Sequence, residues 1–176
     1  MLNQLDDLQL SVSATTRLRR AGEKEGKDYF FLSRREFLRR VEEGRFLEWA
    51  EYGNNLYGTP AAPVHDALAE GKDVLLEIEL QGARQVMRRF PDAVTVFIKP
   101  PDLQELEDRL RNRNTETESD ISLRMARAER EMEVFADDAR RGGGDFDYAI
   151  VNDDVEIATE ELRSIIEDIR SHDPMR

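Results

Sequence analysis

Ser11 to Tyr29, SVSATTRLRRAGEKEGKDY, carries the residue types best suited to gripping an anion. Ser11, Ser13, Thr15 and Thr16 precede Arg17, Arg19 and Arg20, and a phenol follows at Tyr29. Guanidinium forks give bidentate hydrogen bonds to phosphate, and hydroxyls and a phenol cover the remaining oxygens; on composition alone the stretch reads equally as a solvated, basic strand-to-loop connection. A second group is acidic. Glu77 and Glu79 share a parity at the end of the apolar stretch VLLEI, where a charge is expensive unless it is paired or beside an ion. Glu48, next to Trp49, can accept two parallel hydrogen bonds from an amidine-like edge. Guanine presents that edge through its imino and exocyclic amino groups; adenine, cytosine and uracil do not. Tyr57 and Thr59 flank Gly58 as candidate donors to a ligand, with ordinary turn chemistry as the other reading.

A third group is basic. Arg109 and Arg113 lie at helical i, i+4 spacing, and Arg124 follows across the polar stretch Thr115 to Ser119. They read either as a salt-bridged exposed face or as a lid that brings guanidiniums onto a transferring phosphoryl group. His65 and His172 are isolated in sequence and are assigned neither catalysis nor metal binding.

Elements must position these groups. The strand expected at Gln9 to Ala14 feeds a loop over Arg19 to Lys27, and a short strand is expected at Tyr29 to Leu32. Ser33 opens SRRE, a capping box, for a helix that buries Phe37, Leu38 and Val41 and ends at Gly44. Phe46 to Tyr52 alternates as a strand, Gly53 to Gly58 reads as a turn, and Pro60 and Pro63 open a helix that stops at Gly71. Val74 to Ile78, Val94 to Ile98 and Tyr148 to Val151 are short apolar runs of the kind buried on both faces of a parallel sheet. Helices follow each: to Arg89, from Asp102 to Arg113, and one carrying Ala158, Leu162, Ile165, Ile166 and Ile169 on one face. A long charged helix follows Asn114 to Asp120, and Gly142 to Gly144 interrupts it. Met1 to Asp7 has the spacing of a last helical turn. This alternation gives an α/β fold with a mainly parallel sheet and a strand-rich insert.

Composition bounds the function. The 176 residues carry a formal charge of −12, which disfavours a polyanion-binding face, so no nucleic-acid polymer and no anionic membrane is expected as partner. There is no cysteine, so thiol catalysis, disulfides and cysteine zinc sites are excluded. No apolar run approaches membrane-spanning length, and a cytoplasmic location is expected. The oligomeric state is not readable from the sequence.

Five motifs stand in order: SVSATTRLRRAGEKEGKDYFF, FLEWAEYGNNLYGTP, GKDVLLEIELQGARQV, RLRNRNTETE and VNDD. Together they resemble guanylate kinase, from Leu8 to about Arg170. The resemblance implies a three-layer P-loop-kinase-type core (residues 8–28 and 71–113 with 140–176), a GMP-binding subdomain (29–70), and a helical lid with the long helix (114–139). It implies transfer of the ATP γ-phosphate to GMP with Mg²⁺, giving GDP and ADP. It places Ser13 near the base, Arg17, Arg20, Tyr29 and Tyr57 on the GMP phosphate, and Glu48, Thr59 and Glu79 on the guanine. Glu77 falls near the magnesium, through water rather than as a direct ligand. Arg109, Arg113 and Arg124 become lid and catalytic arginines, and Asn152 lies near the adenine.

The chain departs from the family pattern in three places. Arg19 stands where the family usually has proline and is read as solvated. Glu79 stands where it usually has Asp, which keeps the acceptor and lengthens its reach. The third departure is the phosphate-binding stretch GxxxxGK[ST], which the family places between its first strand and first helix and which these residues lack. The expectation is therefore a chain missing the first strand, the P-loop and most of the first helix, with Met1 an internal methionine and a weakened sheet. The alternative is an inactive guanylate-kinase-like module that binds GMP or a protein. The coding DNA upstream of Met1 separates the two.

Overall fold

The computed structural model describes residues 5–112, 117–140 and 146–172. Met1 to Gln4, Arg113 to Glu116 and Gly142 to Gly144, for which the sequence carries expectations, lie outside the described residues. Two compact units divide the chain, Met1–Ala93 and Val94–Arg176.

In the first unit, β1 (Leu8–Leu10) pairs in parallel with β6 (Asp73–Leu75). A four-stranded sheet follows in the order β3 (Phe30–Phe31), β2 (Ala14–Thr15), β5 (Asn55–Pro60), β4 (Phe46–Tyr52). The single strand expected over Gln9 to Ala14 is thus two strands in two sheets. Ser11 still donates to the Leu75 carbonyl, at 3.0 Å, but Ala14 and Thr15 pair with β5 and β3. The expected turn at Gly53 to Gly58 is a turn only at Gly53 and Asn54. Tyr52 then faces Asn55, and β5 runs on between β2 and β4. Gly58 serves close approach rather than a turn. A Cβ there would lie 2.8 Å from the Glu48 carbonyl oxygen and 2.9 Å from the Trp49 Cβ.

One face of this sheet is apolar. Ala14, Phe46 and Leu56 pack with Phe37 from α1 (Arg34–Glu42), and the Phe37 and Phe46 rings stack at 4.5 Å. Ser33 caps α1 as expected, its hydroxyl accepting the Glu36 N–H at 3.2 Å. Only half the capping box forms, because the Glu36 carboxylate turns to Arg39 and Arg40. Pro60 leads into α2 (Ala61–Ala69), which buries Val64 and Ala67, and Gly71 at φ 78° follows. The strand expected to Ile78 leaves its ladder after Leu75 and runs on to α3 (Leu80–Arg89), which buries Gly82 and Val86.

In the second unit, β7 (Val96–Lys99) pairs in parallel with β8 (Tyr148–Val151). Asp102 caps α4 (Leu103–Asn112) by accepting the Glu105 N–H at 2.8 Å. Thr117 and Asp120 cap α5 (Glu118–Arg140) reciprocally, each accepting the other's N–H at 3.2 Å. Asp154 caps α6 (Val155–His172), accepting from Glu156 and Ile157. Leu162 of the expected apolar face is buried. Phe97 of β7 stacks on Phe135 of α5, with centroids 4.6 Å apart and planes 7° apart.

The apolar runs do not behave as strands covered on both faces. Ile150 is fully buried, but its partner Ile98 is 53% exposed, and Val74 and Leu75 are half-buried. Among the described residues the β1–β6 and β7–β8 sheets have two strands each, so each of those four strands has an open edge. No helix among the described residues is long and apolar enough to cross a membrane.

Candidate functional site in the first unit

The sheet of the first unit has a polar face opposite its core, and strand register decides what stands on it. Thr15 opposes Tyr57, and Glu48 opposes Thr59. Residues alternate faces along a strand, so Tyr57 and Thr59 share one face, and Leu56, Gly58 and Pro60 share the other. Phe46 pairs with Pro60, on the core side. Regular pleating would put Glu48, two residues on, on that same core side.

A register shift between Phe46 and Glu48 prevents this: two steps along β4 match one along β5. A bulge of this kind re-aims side chains. Here it leaves Phe46 in the core and turns Glu48 to the Tyr57–Thr59 face. The bulge is held from α3. The Arg89 guanidinium donates to the carbonyls of Phe46 and Leu47, at 3.0 and 2.6 Å. Gln85 donates to the Trp49 carbonyl at 2.7 Å and accepts the Trp49 N–H at 3.3 Å, satisfying the edge strand's backbone.

Glu48 is only 4% exposed, and Thr59 not at all. The Thr59 hydroxyl donates to Glu48 Oε1 at 2.7 Å. Burial pushes the Glu48 carboxyl above its ordinary range, and the hydrogen bonds from Thr59 offset part of that rise. Oε2 lies against α3 at Gly82, where an added Cβ would stand 2.3 Å away. The result is a buried acceptor held on one side by a hydroxyl and on the other by bare backbone.

The basic part of the site lies on the loop after β2. Thr15 Oγ1 accepts the Arg17 N–H at 3.1 Å. The Arg17 guanidinium donates from Nη2 to Glu23 Oε1 at 2.6 Å, and from Nη1 to Glu23 Oε2 at 3.1 Å and to the Leu18 carbonyl at 2.7 Å. It lies 5.4 Å from the Tyr29 ring centroid and beside the Tyr57 hydroxyl. The Tyr29 and Tyr57 rings meet edge-on at 6.2 Å. The hydrogen bond to Glu23 raises the Arg17 pKa, and the same bond lowers that of Glu23. Burial raises the Tyr29 phenol, so its proton is held for donation, and Glu77 is close enough to act on it in the same direction. Ser13 accepts the Phe30 N–H through its carbonyl at 2.9 Å, fixing the start of the loop beside β3. Arg20 is anchored by its backbone N–H, which donates to Glu23 Oε2 at 2.7 Å. Glu79, whose carboxylate oxygens are buried, stands at the start of α3.

The first unit thus brings Arg17, Tyr29 and Tyr57 together and joins Glu48 to Thr59. In the second unit, Arg109 donates to Glu105 at 2.7 Å, to the Asn152 carbonyl at 2.6 Å and to the Asp153 carbonyl at 2.8 Å. Two expected site residues, Arg109 and Asn152, are therefore neighbours, with Arg109 tying α4 to the end of β8. Arg124 stands on α5, one turn from Asp120, whose pKa is lowered first by the hydrogen bonds from Thr117 and least by the Arg124 charge. Arg113 lies outside the described residues. Sequence reasoning passed over Glu23, Gln85 and Arg89. Glu23 had a signal, a carboxylate three residues after Arg20 in a glycine-flanked turn. The other two had only the helical spacing of Gly82, Gln85 and Arg89.

Comparisons with known proteins agree on one family. A sequence model described as guanylate kinase matches residues 2–169. The guanylate kinase of Rubrobacter xylanophilus is 52% identical over 165 residues, which is 94% of this chain and 82% of that protein. That of Streptococcus thermophilus is 49% identical over 90% of this chain and 72% of its own length. The crystal structure of guanylate kinase from Anaplasma phagocytophilum superposes with a TM-score of 0.74 at 34% identity, over 94% of this chain and 78% of that one.

Proposed function

The chain belongs to the guanylate kinase family, and on that premise we propose that its first unit is the acceptor site for GMP in transfer of the ATP γ-phosphate, yielding GDP and ADP. The observation that carries this reading is the buried Glu48 carboxylate, bonded to Thr59 and turned by the bulge onto the face that also bears Tyr57. Burying a carboxylate without enough donors is costly. The guanine imino and amino groups supply two further donors side by side. Adenine offers an acceptor where guanine offers its imino proton, and AMP is thereby disfavoured. Glu79 and Thr59 complete the contacts to the base, with Ser13 nearby.

Arg17, Arg20, Tyr29 and Tyr57 hold the GMP phosphate. Their donors fix it as a nucleophile: one of its oxygens bonds to the γ-phosphorus as the bond from that phosphorus to the leaving ADP oxygen breaks. Arg109, Arg113 and Arg124 offset the charge that develops on the transferring group, and Asn152 lies at the adenine.

Magnesium fits the donor set in one role. No three His, Cys, Asp or Glu side chains cluster as a cage among the described residues. A magnesium ion held mainly by nucleotide phosphates keeps several waters and needs few protein carboxylates, and Glu77, reaching it through water, suits that. When bound, the ion neutralises charge on the phosphates. The 176 residues hold no GxxxxGK[ST] stretch. A cytoplasmic location accords with these soluble substrates.

The test is calorimetric titration with GMP and AMP, joined to a coupled assay of GDP formation on this chain and on the chain fused to a relative's P-loop segment. The reading expects GMP binding, no comparable AMP binding, and GMP-dependent turnover in the fusion. Equal affinity for AMP, or no GMP binding, overturns it.

A further inference from the structure

Glu23 stands at the centre of the phosphate loop, yet its carboxylate has the sign of the ligand that the loop is to hold. Its oxygens take two hydrogens of the Arg17 guanidinium, at 2.6 and 3.1 Å, and the Arg20 backbone N–H at 2.7 Å. Its own N–H closes the turn by donating to the Arg20 carbonyl at 3.3 Å. With the Leu18 carbonyl, three of the five guanidinium hydrogens are in use. The remaining two belong to the same planar group, which also bonds to the Tyr57 hydroxyl and whose Cζ lies 5.4 Å from the Tyr29 ring centroid.

Two roles are compatible with a carboxylate on a phosphate-binding arginine. It is either a stand-in that the phosphate displaces or a brace that stays. Glu23 closes the turn that carries Arg20 as well as binding Arg17, so displacing it would undo the loop that presents both arginines. Its charge also lies against Arg17 at 2.6 Å, so the pair presents a dipole to the incoming phosphate, and the repulsion falls off faster than that of a lone carboxylate.

We propose that Glu23 is a positioning residue for the acceptor phosphate: it fixes one edge of Arg17 and the backbone of Arg20, and leaves the other edge of the Arg17 fork to the nucleotide. This rests on the first unit being the GMP site. The gain is preorganisation, since an arginine already fixed loses less side-chain freedom when the ligand arrives.

The test compares GMP with guanosine, which has the base and ribose but no phosphate, on the 176-residue chain and on its Glu23→Gln and Glu23→Asp variants. The amide keeps one acceptor and sets a donor against Arg17 or the Arg20 N–H. We expect Glu23→Gln to bind GMP roughly ten-fold more weakly while guanosine affinity stays within about two-fold. Glu23→Asp, which keeps the charge on a shorter stem, recovers part of the loss. Circular dichroism and thermal melts verify that the variants fold. Unchanged GMP affinity makes Glu23 a bystander, and tighter GMP binding makes it a competitor; either overturns the proposal. Equal weakening of GMP and guanosine also overturns it, since that is loss of structure rather than of phosphate positioning. Failure of the unmodified chain to bind GMP removes the acceptor-site reading itself, and this proposal with it.

Discussion

Replacing Gly82 by Ala adds one methyl group at a place where the space is already filled. The new Cβ would lie 2.3 Å from Glu48 Oε2, 2.9 Å from Cδ and 3.4 Å from Cγ. Ordinary contacts are about 3.5 Å, so the carboxylate has to retreat by about 1 Å. It cannot do so and keep the 2.7 Å bond from Thr59, which is itself fully buried. Losing a hydrogen bond to a charged group costs about 1.5–3 kcal/mol. Alanine returns about 1 kcal/mol as a better helix former in α3. The net loss of stability is then about 0.5–2 kcal/mol, small enough for the variant to remain folded. Function should suffer more, because the displaced carboxylate no longer faces both guanine donors. We expect GMP affinity to fall by roughly ten- to a hundred-fold. Urea unfolding and GMP calorimetry on the same preparation measure the two effects. Glu48→Asp in the Gly82→Ala background withdraws the carboxylate from the new methyl, so the stability losses of the two substitutions should be less than additive. A folded Gly82→Ala protein with unaltered GMP affinity would refute the reasoning, since Glu48 would then have room to move or no part in reading the base.

Three further outcomes are expected. Gly58→Ala places a Cβ 2.8 Å from a backbone oxygen and 2.9 Å from the Trp49 Cβ, and should cost about 1–3 kcal/mol in chemical unfolding; no loss would mean that β4 and β5 can separate freely. Arg89→Met removes the donor to the two bulge carbonyls and should cost about 1 kcal/mol, with weaker GMP binding because the bulge aims Glu48; a stability loss with full GMP affinity would uncouple the bulge from the site. Glu48 has a folded pKa raised above its ordinary 4.5, so its contribution is fully present below that value and is lost as pH rises through the folded pKa. Glu48→Gln, which has no charge to bury, should therefore gain stability relative to the unmodified chain between pH 4 and pH 7, as followed by denaturant midpoints. A gap that narrows over that range would mean that Glu48 is stabilised as the anion.

Much of this arrangement is legible from local rules. Ser33, Asp102 and Asp154 cap helices because short polar side chains reach the free N–H groups of a first turn, a rule that needs no tertiary information. The alternation of Phe46 to Tyr52 gives the strand that bears Glu48, and the arginine–hydroxyl composition of Ser13 to Tyr29 marks the loop where Arg17 meets Tyr29 and Tyr57. What was hidden depends on partners distant in sequence. Asn55 to Pro60 has the composition of a turn, and it is a strand because β2 and β4 lie on either side of it. The bulge at Phe46 to Glu48 has no local mark; the guanidinium holding it comes from 42 and 43 residues away. Gly82 reads as a helix residue of poor propensity, and its reason is the carboxylate packed against it. The apolar runs VLLEI and VTVFI read as fully covered strands, whereas cover is a property of neighbours that a run cannot encode.

The central claim is that Glu48 reads guanine. Calorimetry with GMP and AMP on the unmodified chain and on Glu48→Gln tests it most directly. The amide cannot accept both guanine donors and sets its own N–H against one of them. The account predicts that GMP binding weakens by about 2–4 kcal/mol and that the preference for GMP over AMP collapses. A Glu48→Gln chain that binds GMP as the unmodified chain does, with its preference over AMP intact, would contradict it.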